Sequence, residues 1–299
     1  MYELNSTSKK KEIPMIVHRK LYLLAVIAGL IVTACAPQVT TAPIPTSART
    51  PISVPAETEV PVPSPAPLSL VVVGNSIPFN SPEDCPNCTG FIDRYAETIK
   101  AATGRPVDVQ NLSQHNSLQI DGLLQELETD SARRIALANA DIILVSIAHN
   151  DTAWNRNDDP CDGSSEDWSK FNEACVAAAA EIFRPKLESL YSQVVALRAG
   201  KPTIFRTVNA YNDWIGVDGT PPEATDATRL FLDAWNEMIC QAATSKGFTC
   251  ADIYHAFNGP EGRMPAGNLL AQDTVHPSDK GNEVISQVLA DLGYAPLVP

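Results

Sequence analysis

Three side chains in the 299-residue sequence could together make a hydroxyl group reactive. Ser76 follows the apolar run "LSLVVVGN", and Asp273 and His276 lie three positions apart in "DTVHP". A serine hydroxyl is a weak nucleophile, so it needs a base that takes its proton and an acid that orients this base. Asp273 can hydrogen-bond one nitrogen of His276 and leave the other nitrogen facing a serine. These residues predict nucleophilic catalysis by Ser76, and the alternative is an ordinary turn serine after a strand.

Strands that alternate with helices are the elements that must bring these residues together. Apolar runs predict buried strands at 68–74, 140–148 and 201–210, with weaker strand signals at 106–112 and 248–254. Helical spacing predicts helices at 89–104, ending at Gly104, at about 167–198, bent or broken near Pro185, at 227–247 and at 282–293. This alternation predicts an α/β fold with a parallel sheet of about five strands and helices on both faces.

Polar segments follow the predicted strands at the point where each strand ends. Ser76 follows the first strand, "SQHN" at 113–116 the second and "HND" at 149–151 the third, and "DTVHP" lies after the last strand. Ligands of parallel sheets bind outside the carboxyl ends of the strands. The sequence therefore predicts one site on this rim of the sheet.

The four rim segments resemble, in the same order, the sequence blocks of SGNH hydrolases of the GDSL esterase/lipase superfamily. The matching segments are "VGNSI", "NLSQHN", "AHND" and "DTVHP", within residues 68 to 285. The resemblance implies a three-layer, flavodoxin-like sheet and the hydrolysis of carboxylic esters. It implies no metal and no organic cofactor.

The resemblance also implies a role for each matching residue. Ser76 corresponds to the nucleophile, His276 to the general base and acid, and Asp273 to the residue that orients His276. The side-chain amide of Asn150 and the backbone N–H groups of Ser76 and Asn116 correspond to the donors of the oxyanion hole.

Four positions depart from the family pattern. Asn75 replaces the aspartate before the nucleophile, which keeps a hydrogen-bonding side chain and removes a charge. Ser113 and Asn116 replace glycines of the second block, and Ala148 replaces the glycine of the third. Any residue except proline supplies a backbone N–H, and asparagine tolerates a positive φ, so we expect the oxyanion hole to survive at Asn116.

Five further side chains near the predicted site have no role in the resemblance. His115 and His149 flank the site, and Trp154, Trp168 and Trp214 lie in the loops around it. Aromatic loop residues either contact substrate or pack the loops against the domain. The sequence leaves both readings open for each tryptophan.

An even number of cysteines remains when the lipidation candidate Cys35 is set aside. In an exported chain this indicates disulfides, and we expect neighbours to pair, although the sequence does not exclude other connectivities. A zinc site is the alternative for "CPNC", but no second pair at metal-ligand spacing accompanies it. The expected pairs are Cys85 with Cys88, Cys161 with Cys175, and Cys240 with Cys250.

The N-terminal 67 residues predict export and attachment to a membrane. Residues 1–34 have the basic start and short apolar core of a secretory signal, and residues 1–14 are a candidate start-site misassignment, since Met15 would begin a signal of ordinary length. "VTAC" resembles a lipobox, which implies cleavage before Cys35 and its lipidation. Residues 35–67 form a Pro/Thr/Ser-rich spacer, and residues 68–299 form the domain. The alternative for the first segment is an uncleaved anchor helix.

The predicted mature chain is strongly acidic, with 17 basic and 33 acidic residues and a net charge of −16. Such a surface repels nucleic acid, and a neutral or cationic substrate is easier to accommodate. The sequence predicts no nucleic-acid or protein partner and no cofactor.

We therefore expect a lipid-anchored serine esterase at the bacterial cell surface or in the periplasm. Its expected substrates are small-molecule or glycan esters, with acyl or acetyl groups on carbohydrate or lipid. The open alternatives are a catalytically weak, tethered glycan-binding protein of the same fold and an acyltransferase that passes the acyl group to a sugar hydroxyl.

Overall fold

The computed structural model describes residues 65–155, 160–161 and 167–297. The predicted signal peptide, Cys35 and the spacer up to residue 64 lie outside the described residues. Within the described ranges, no helix has both the length and the hydropathy needed to cross a bilayer.

Five parallel strands form one sheet in the order β2-β1-β3-β4-β5. The fold class predicted from the sequence is confirmed, including both weaker strands. The order reverses at β1, so the carboxyl end of β1 lies at the crevice where such sheets bind ligands. The strands are β1 Leu68–Gly74, β2 Val107–Asn111, β3 Ile142–Ser146, β4 Ile204–Val208 and β5 Thr249–Ala251.

Helices cover both faces of the sheet because the central strands are apolar on both sides. Successive side chains of β1 alternate, so that Val71 and Val73 pack in one core, and Leu70 and Val72 pack in the other. The first core takes α3, α5 and α6, and the second takes α2 and α8. The helices are α1 Ser76–Phe79, α2 Phe91–Thr103, α3 Ile120–Thr129, α4 Ser131–Asn139, α5 Glu173–Leu197, α6 Pro222–Ser245, α7 Ile253–Asn258 and α8 Asp279–Asp291.

Two helix predictions have different outcomes. The first helix ends as expected at Gly104, whose φ of 67° lies in the left-handed region. Of the bend or break predicted near Pro185, the break is wrong, because α5 runs from Glu173 to Leu197 with Pro185 inside it, and the bend stays a prediction. The start near residue 167 is also wrong, since Asn172 caps α5 by accepting hydrogen bonds from the N–H groups of Ala174 and Cys175.

Three disulfides join the cysteine pairs that the sequence predicts. Their Cα–Cα separations are 5.5 Å, 5.0 Å and 5.3 Å. Because Cys85 and Cys88 are bonded to each other, their sulfurs are not thiolate ligands, which removes the basis for zinc at "CPNC". The bonded pairs are Cys85–Cys88, Cys161–Cys175 and Cys240–Cys250.

Candidate active site

Ser76, His276 and Asp273 form a continuous hydrogen-bonded chain at the carboxyl end of β1. His276 Nε2 lies 2.9 Å from Ser76 Oγ, and His276 Nδ1 lies 2.6 Å from Asp273 Oδ2. The side chain of His276 is 16% exposed, so a substrate can reach this contact from one side. The structure thus brings together the three residues that the sequence places far apart, in the arrangement that lets an imidazole take a serine proton.

The Asp273 carboxylate also fixes the loop that carries His276. Its Oδ1 accepts hydrogen bonds from the backbone N–H groups of Val275, at 3.1 Å, and of His276, at 3.0 Å. Burial alone would raise the pKa of Asp273, but the hydrogen bonds from the His276 ring and the two backbone N–H groups outweigh it and lower the pKa. Asp273 is therefore held as a carboxylate that accepts hydrogen bonds through both oxygens.

Tyr211 contacts the loop that carries Asp273 and His276. Its hydroxyl donates to the Val275 carbonyl oxygen at 2.7 Å, and its ring stacks on Phe257 at 4.4 Å. Burial and the charges of Asp213 and Asp273 raise the pKa of Tyr211 well above its ordinary value. Tyr211 is thus a protonated donor that positions the triad loop.

A tight turn presents Ser76 at the first residue of α1. The Asn75 side chain accepts from the Ile77 N–H at 3.1 Å, which is the helix-capping contact that an aspartate would make there. A Cβ atom at Gly74 would overlap the Ser146 carbonyl oxygen, so β1 approaches β3 closely only because residue 74 is glycine. The Ser76 N–H lies in the first turn of α1, where no intrahelical acceptor exists.

The loops after β2 and β3 are tied together around Asn150. One N–H of the Asn150 side-chain amide donates to the Leu118 backbone carbonyl at 3.1 Å. The backbone carbonyl of Asn150 accepts from the Gln119 side-chain amide at 2.8 Å. An amide nitrogen carries two hydrogens, so the second remains for a ligand. Ala148 takes a φ of 81° to start this loop, which is the left-handed conformation that the family's glycine would adopt without strain.

Asn116 lies in the loop after β2 and uses its side chain for local hydrogen bonds. Its Oδ1 accepts from the Leu118 N–H at 3.1 Å, and its Nδ2 donates to Gln114 at 2.8 Å. Among the described non-glycine residues, those with positive φ are Asn80, Asn87, Ala148 and Thr274. Asn116 therefore does not use the left-handed conformation, and its backbone N–H as an oxyanion donor stays a prediction.

Asp84 is a neighbour of Ser76 and His276 that the sequence analysis does not single out. Its Oδ2 lies 3.4 Å from His276 Nε2 and 3.0 Å from His115 Nε2, so one oxygen faces both imidazoles. Asp84, Asp273 and His276 could also offer ligand atoms to a metal ion, within 4.8 Å of one another, but an ion there would compete with Ser76 for Nε2. The only sequence signal was that Asp84 precedes Cys85 in the disulfide loop after α1.

A cleft of about 420 Å³ lies between the Asn150 loop and the loop that carries Asp273 and His276, where Thr274 and Val275 line it. Trp154 and Trp214 line it, whereas Trp168 is 6% exposed and packs edge-on against Trp214. Of the three tryptophans, the structure therefore places two at the cleft and one in the packing behind it. A second acidic residue that the sequence did not single out, Asp213, also lines the cleft.

The family model described as the GDSL-like lipase/acylhydrolase family matches residues 72–284, and the chain belongs to this family. A lipase from a goat rumen metagenome has a similar structure, with a TM-score of 0.61 and 19% identity over 77% of this chain and 99% of that one. An acetylxylan esterase from Geobacillus stearothermophilus is also similar, with a TM-score of 0.51 and 18% identity over 76% and 94%. A comparison with curated proteins gave no match.

The family and the fold together define a carboxylic ester hydrolase of the SGNH type. The hydrogen-bonded chain of Ser76, His276 and Asp273 lies within the residues that the family model matches.

Proposed function

We propose that the protein is a serine esterase that works through an acyl-enzyme on Ser76. The observation that supports this proposal is the 2.9 Å contact between Ser76 Oγ and His276 Nε2, while Asp273 is hydrogen-bonded to the other ring nitrogen of His276. This intact chain favours an enzyme over a binding protein of the same fold.

The first half of the reaction transfers the acyl group to the enzyme. Ser76 Oγ bonds the ester carbonyl carbon while its proton passes to His276 Nε2. The tetrahedral intermediate then breaks its bond to the alcohol oxygen, which leaves with the proton from His276. Asp273 stabilises the imidazolium that exists between these two steps.

Hydrogen-bond donors must also meet the oxygen on which negative charge develops. We assign this role to the Ser76 N–H, the second N–H of the Asn150 amide and the Asn116 N–H. One such donor is worth about 10²- to 10³-fold in kcat in other acyl-transfer enzymes. Water then attacks the acyl carbon and gives a proton to His276. The second tetrahedral intermediate breaks its bond to Ser76 Oγ, which takes this proton from His276 as the carboxylic acid leaves.

The proposed substrates are acetyl or other acyl esters of carbohydrates or lipids. An acetylxylan esterase and a lipase are among the proteins of similar structure, and the acidic chain suits a neutral alcohol group. We further propose lipid attachment at Cys35 and a place outside the cytoplasm. Three disulfides fit an oxidising compartment, and labelled palmitate that is incorporated by the full chain but not by Cys35→Ala would test the anchor.

Hydrolysis of p-nitrophenyl acetate and labelling by a fluorophosphonate test the enzyme itself. Ser76→Ala should lose both activities, whereas Ser131→Ala, which changes an exposed serine at the start of α4, should keep both. A wild-type protein that neither turns over the ester nor labels at Ser76 would refute the proposal. Product analysis with an added sugar acceptor distinguishes hydrolysis from acyl transfer, because only a transferase forms the new ester.

A further inference from the structure

We propose that the cleft beside the triad binds the sugar ring of a neutral carbohydrate ester, with Asp213 accepting a sugar hydroxyl and Trp214 contacting the ring. This inference rests on the proposed function, since it assigns the alcohol side of the same reaction.

The position of the cleft identifies which part of an ester it would hold. Asn150 forms one wall, and Thr274 and Val275, which directly precede His276, form another. The departing alcohol oxygen must take its proton from His276 Nε2, so the alcohol part lies on the His276 side of the reacting carbon. The cleft therefore suits the alcohol part, and the acyl group lies elsewhere around Ser76.

Asp213 gives the cleft one acceptor oxygen that has no donor among the described residues. The residue is 8% exposed, and within the part of the chain that the structure describes its Oδ1 has no hydrogen-bond partner. The other oxygen, Oδ2, lies 3.6 Å from Nε2 of His149, which is 7% exposed. A buried carboxylate oxygen without a donor destabilises the protein, and a ligand hydroxyl would remove that cost.

This acceptor discriminates against a hydrocarbon chain. An alkyl group in the cleft would leave the Asp213 oxygen without a donor, whereas a hydroxyl of a polyol would donate to it. The cleft walls are partly apolar through Trp154, Trp214 and Val217, which matches the carbon face of a sugar ring. Edge-on contacts with Trp154 and Trp168 fix the Trp214 ring in place.

The charge of the lining excludes an acidic sugar. Asp213 and Asp218 line the cleft, and its described lining contains no lysine or arginine. An anionic ligand would meet these carboxylates, and no lysine or arginine among the described lining residues would compensate their charge. A neutral sugar is therefore the ligand that we assign.

The test compares the monoacetate of methyl glucoside with cyclohexyl acetate, which has a ring of similar size and no free hydroxyls. Wild-type protein should prefer the sugar ester by about 100-fold or more in kcat/KM, because its hydroxyl pairs the buried acceptor. Asp213→Ala should lower kcat/KM for the sugar ester by about 10- to 100-fold, mainly through KM, and leave cyclohexyl acetate and p-nitrophenyl acetate within about threefold. Glu128→Ala, which removes an exposed carboxylate of α3 that does not line the cleft, is the control and should change all three by less than about threefold.

Thermal unfolding separates a binding role for Asp213 from a structural one. Because Oδ1 of the buried Asp213 carboxylate has no donor in the described part of the chain, Asp213→Ala should leave the melting temperature unchanged or raised, whereas a lowered one would overturn the proposal. Two other results would also overturn the proposal. A preference for p-nitrophenyl octanoate that Asp213→Ala weakens would indicate that the cleft binds an acyl chain. The same result with acetylcholine would indicate that it binds an ammonium group. Calorimetry that measures the binding of methyl glucoside to Ser76→Ala distinguishes the esterase proposal from the sugar-binding proposal. If this variant binds the sugar and the wild type does not turn over any ester, only the esterase proposal is refuted.

Discussion

Asp273→Asn is the substitution whose effect the structure specifies most fully. In the wild type, Oδ2 of Asp273 faces His276 Nδ1 at 2.6 Å, and Oδ1 accepts two backbone N–H groups at 3.1 Å and 3.0 Å. The side-chain oxygen of the asparagine must accept from these two backbone N–H groups. Turning the amide by about 180° would lose both hydrogen bonds, at about 1 kcal/mol each, and would place the amide NH₂ against the two N–H groups. The amide nitrogen then faces Nδ1 of His276.

This orientation inverts the tautomer of the catalytic imidazole. Nδ1 must become an acceptor, so the proton moves to Nε2, which then donates to Ser76 Oγ and cannot take its proton. In a serine protease the equivalent change lowers kcat by about 10⁴-fold. At about 1.36 kcal/mol per tenfold change, that is an increase of about 5.4 kcal/mol in the activation barrier.

A second Asp-x-x-His pair in the chain supplies the control. Asp252 Oδ2 lies 2.6 Å from His255 Nδ1, and Asp252 Oδ1 accepts from the His255 N–H, but this pair lines a different cleft, with neither Ser76 nor His276 in its lining. With p-nitrophenyl acetate, we expect Asp273→Asn to lose about 10⁴-fold in kcat and Asp252→Asn to stay within about threefold. Retention of more than about a tenth of the activity by Asp273→Asn, or equal loss in both variants, would refute this reasoning.

Three further predictions concern the oxyanion hole and the stability of the domain. Asn150→Ala should lower kcat for p-nitrophenyl acetate by about 10²- to 10³-fold with little change in KM, and an unchanged kcat would remove Asn150 from the oxyanion hole. Gly74→Ala should lower the free energy of unfolding in urea by about 3 kcal/mol or more, since its methyl group would overlap the Ser146 carbonyl, and wild-type stability would show that the strands can separate there at no cost. Replacement of Cys161 and Cys175 by serine should lower the unfolding free energy by about 3 kcal/mol, because their disulfide closes a loop of 14 residues, and the same urea titration measures it.

The parts of the fold that the sequence predicts are those with local signals. Buried strands such as β1 and β3 are continuous apolar runs, and the helix that ends at Gly104 has both helical spacing and a stop residue. Of the bend or break expected at Pro185, the break does not occur, because a proline removes only one hydrogen bond and the packing of α5 with α3 and α6 in one core keeps the rest of the helix intact.

The predictable residues of the site are those that belong to short motifs. Ser76 and the Asp273 to His276 segment are recognisable from type and spacing, whereas Asp84 and Asp213 reach the site only because the fold brings their loops to it. Nothing local separates these two from the other acidic residues in the sequence. Their importance depends on burial and on which imidazole each one faces, and both are properties of the folded chain.

The carboxylate of Asp84, opposite Asp273 across the catalytic imidazole, has a practical consequence for reagents. Two negative groups flank His276, so a reagent that carries a sulfonate or a free phosphate is repelled before it reaches Ser76. An uncharged sulfonyl fluoride should therefore label a larger fraction of Ser76 than an anionic one in the same time. A slow reaction with an anionic probe does not measure the fraction of active enzyme.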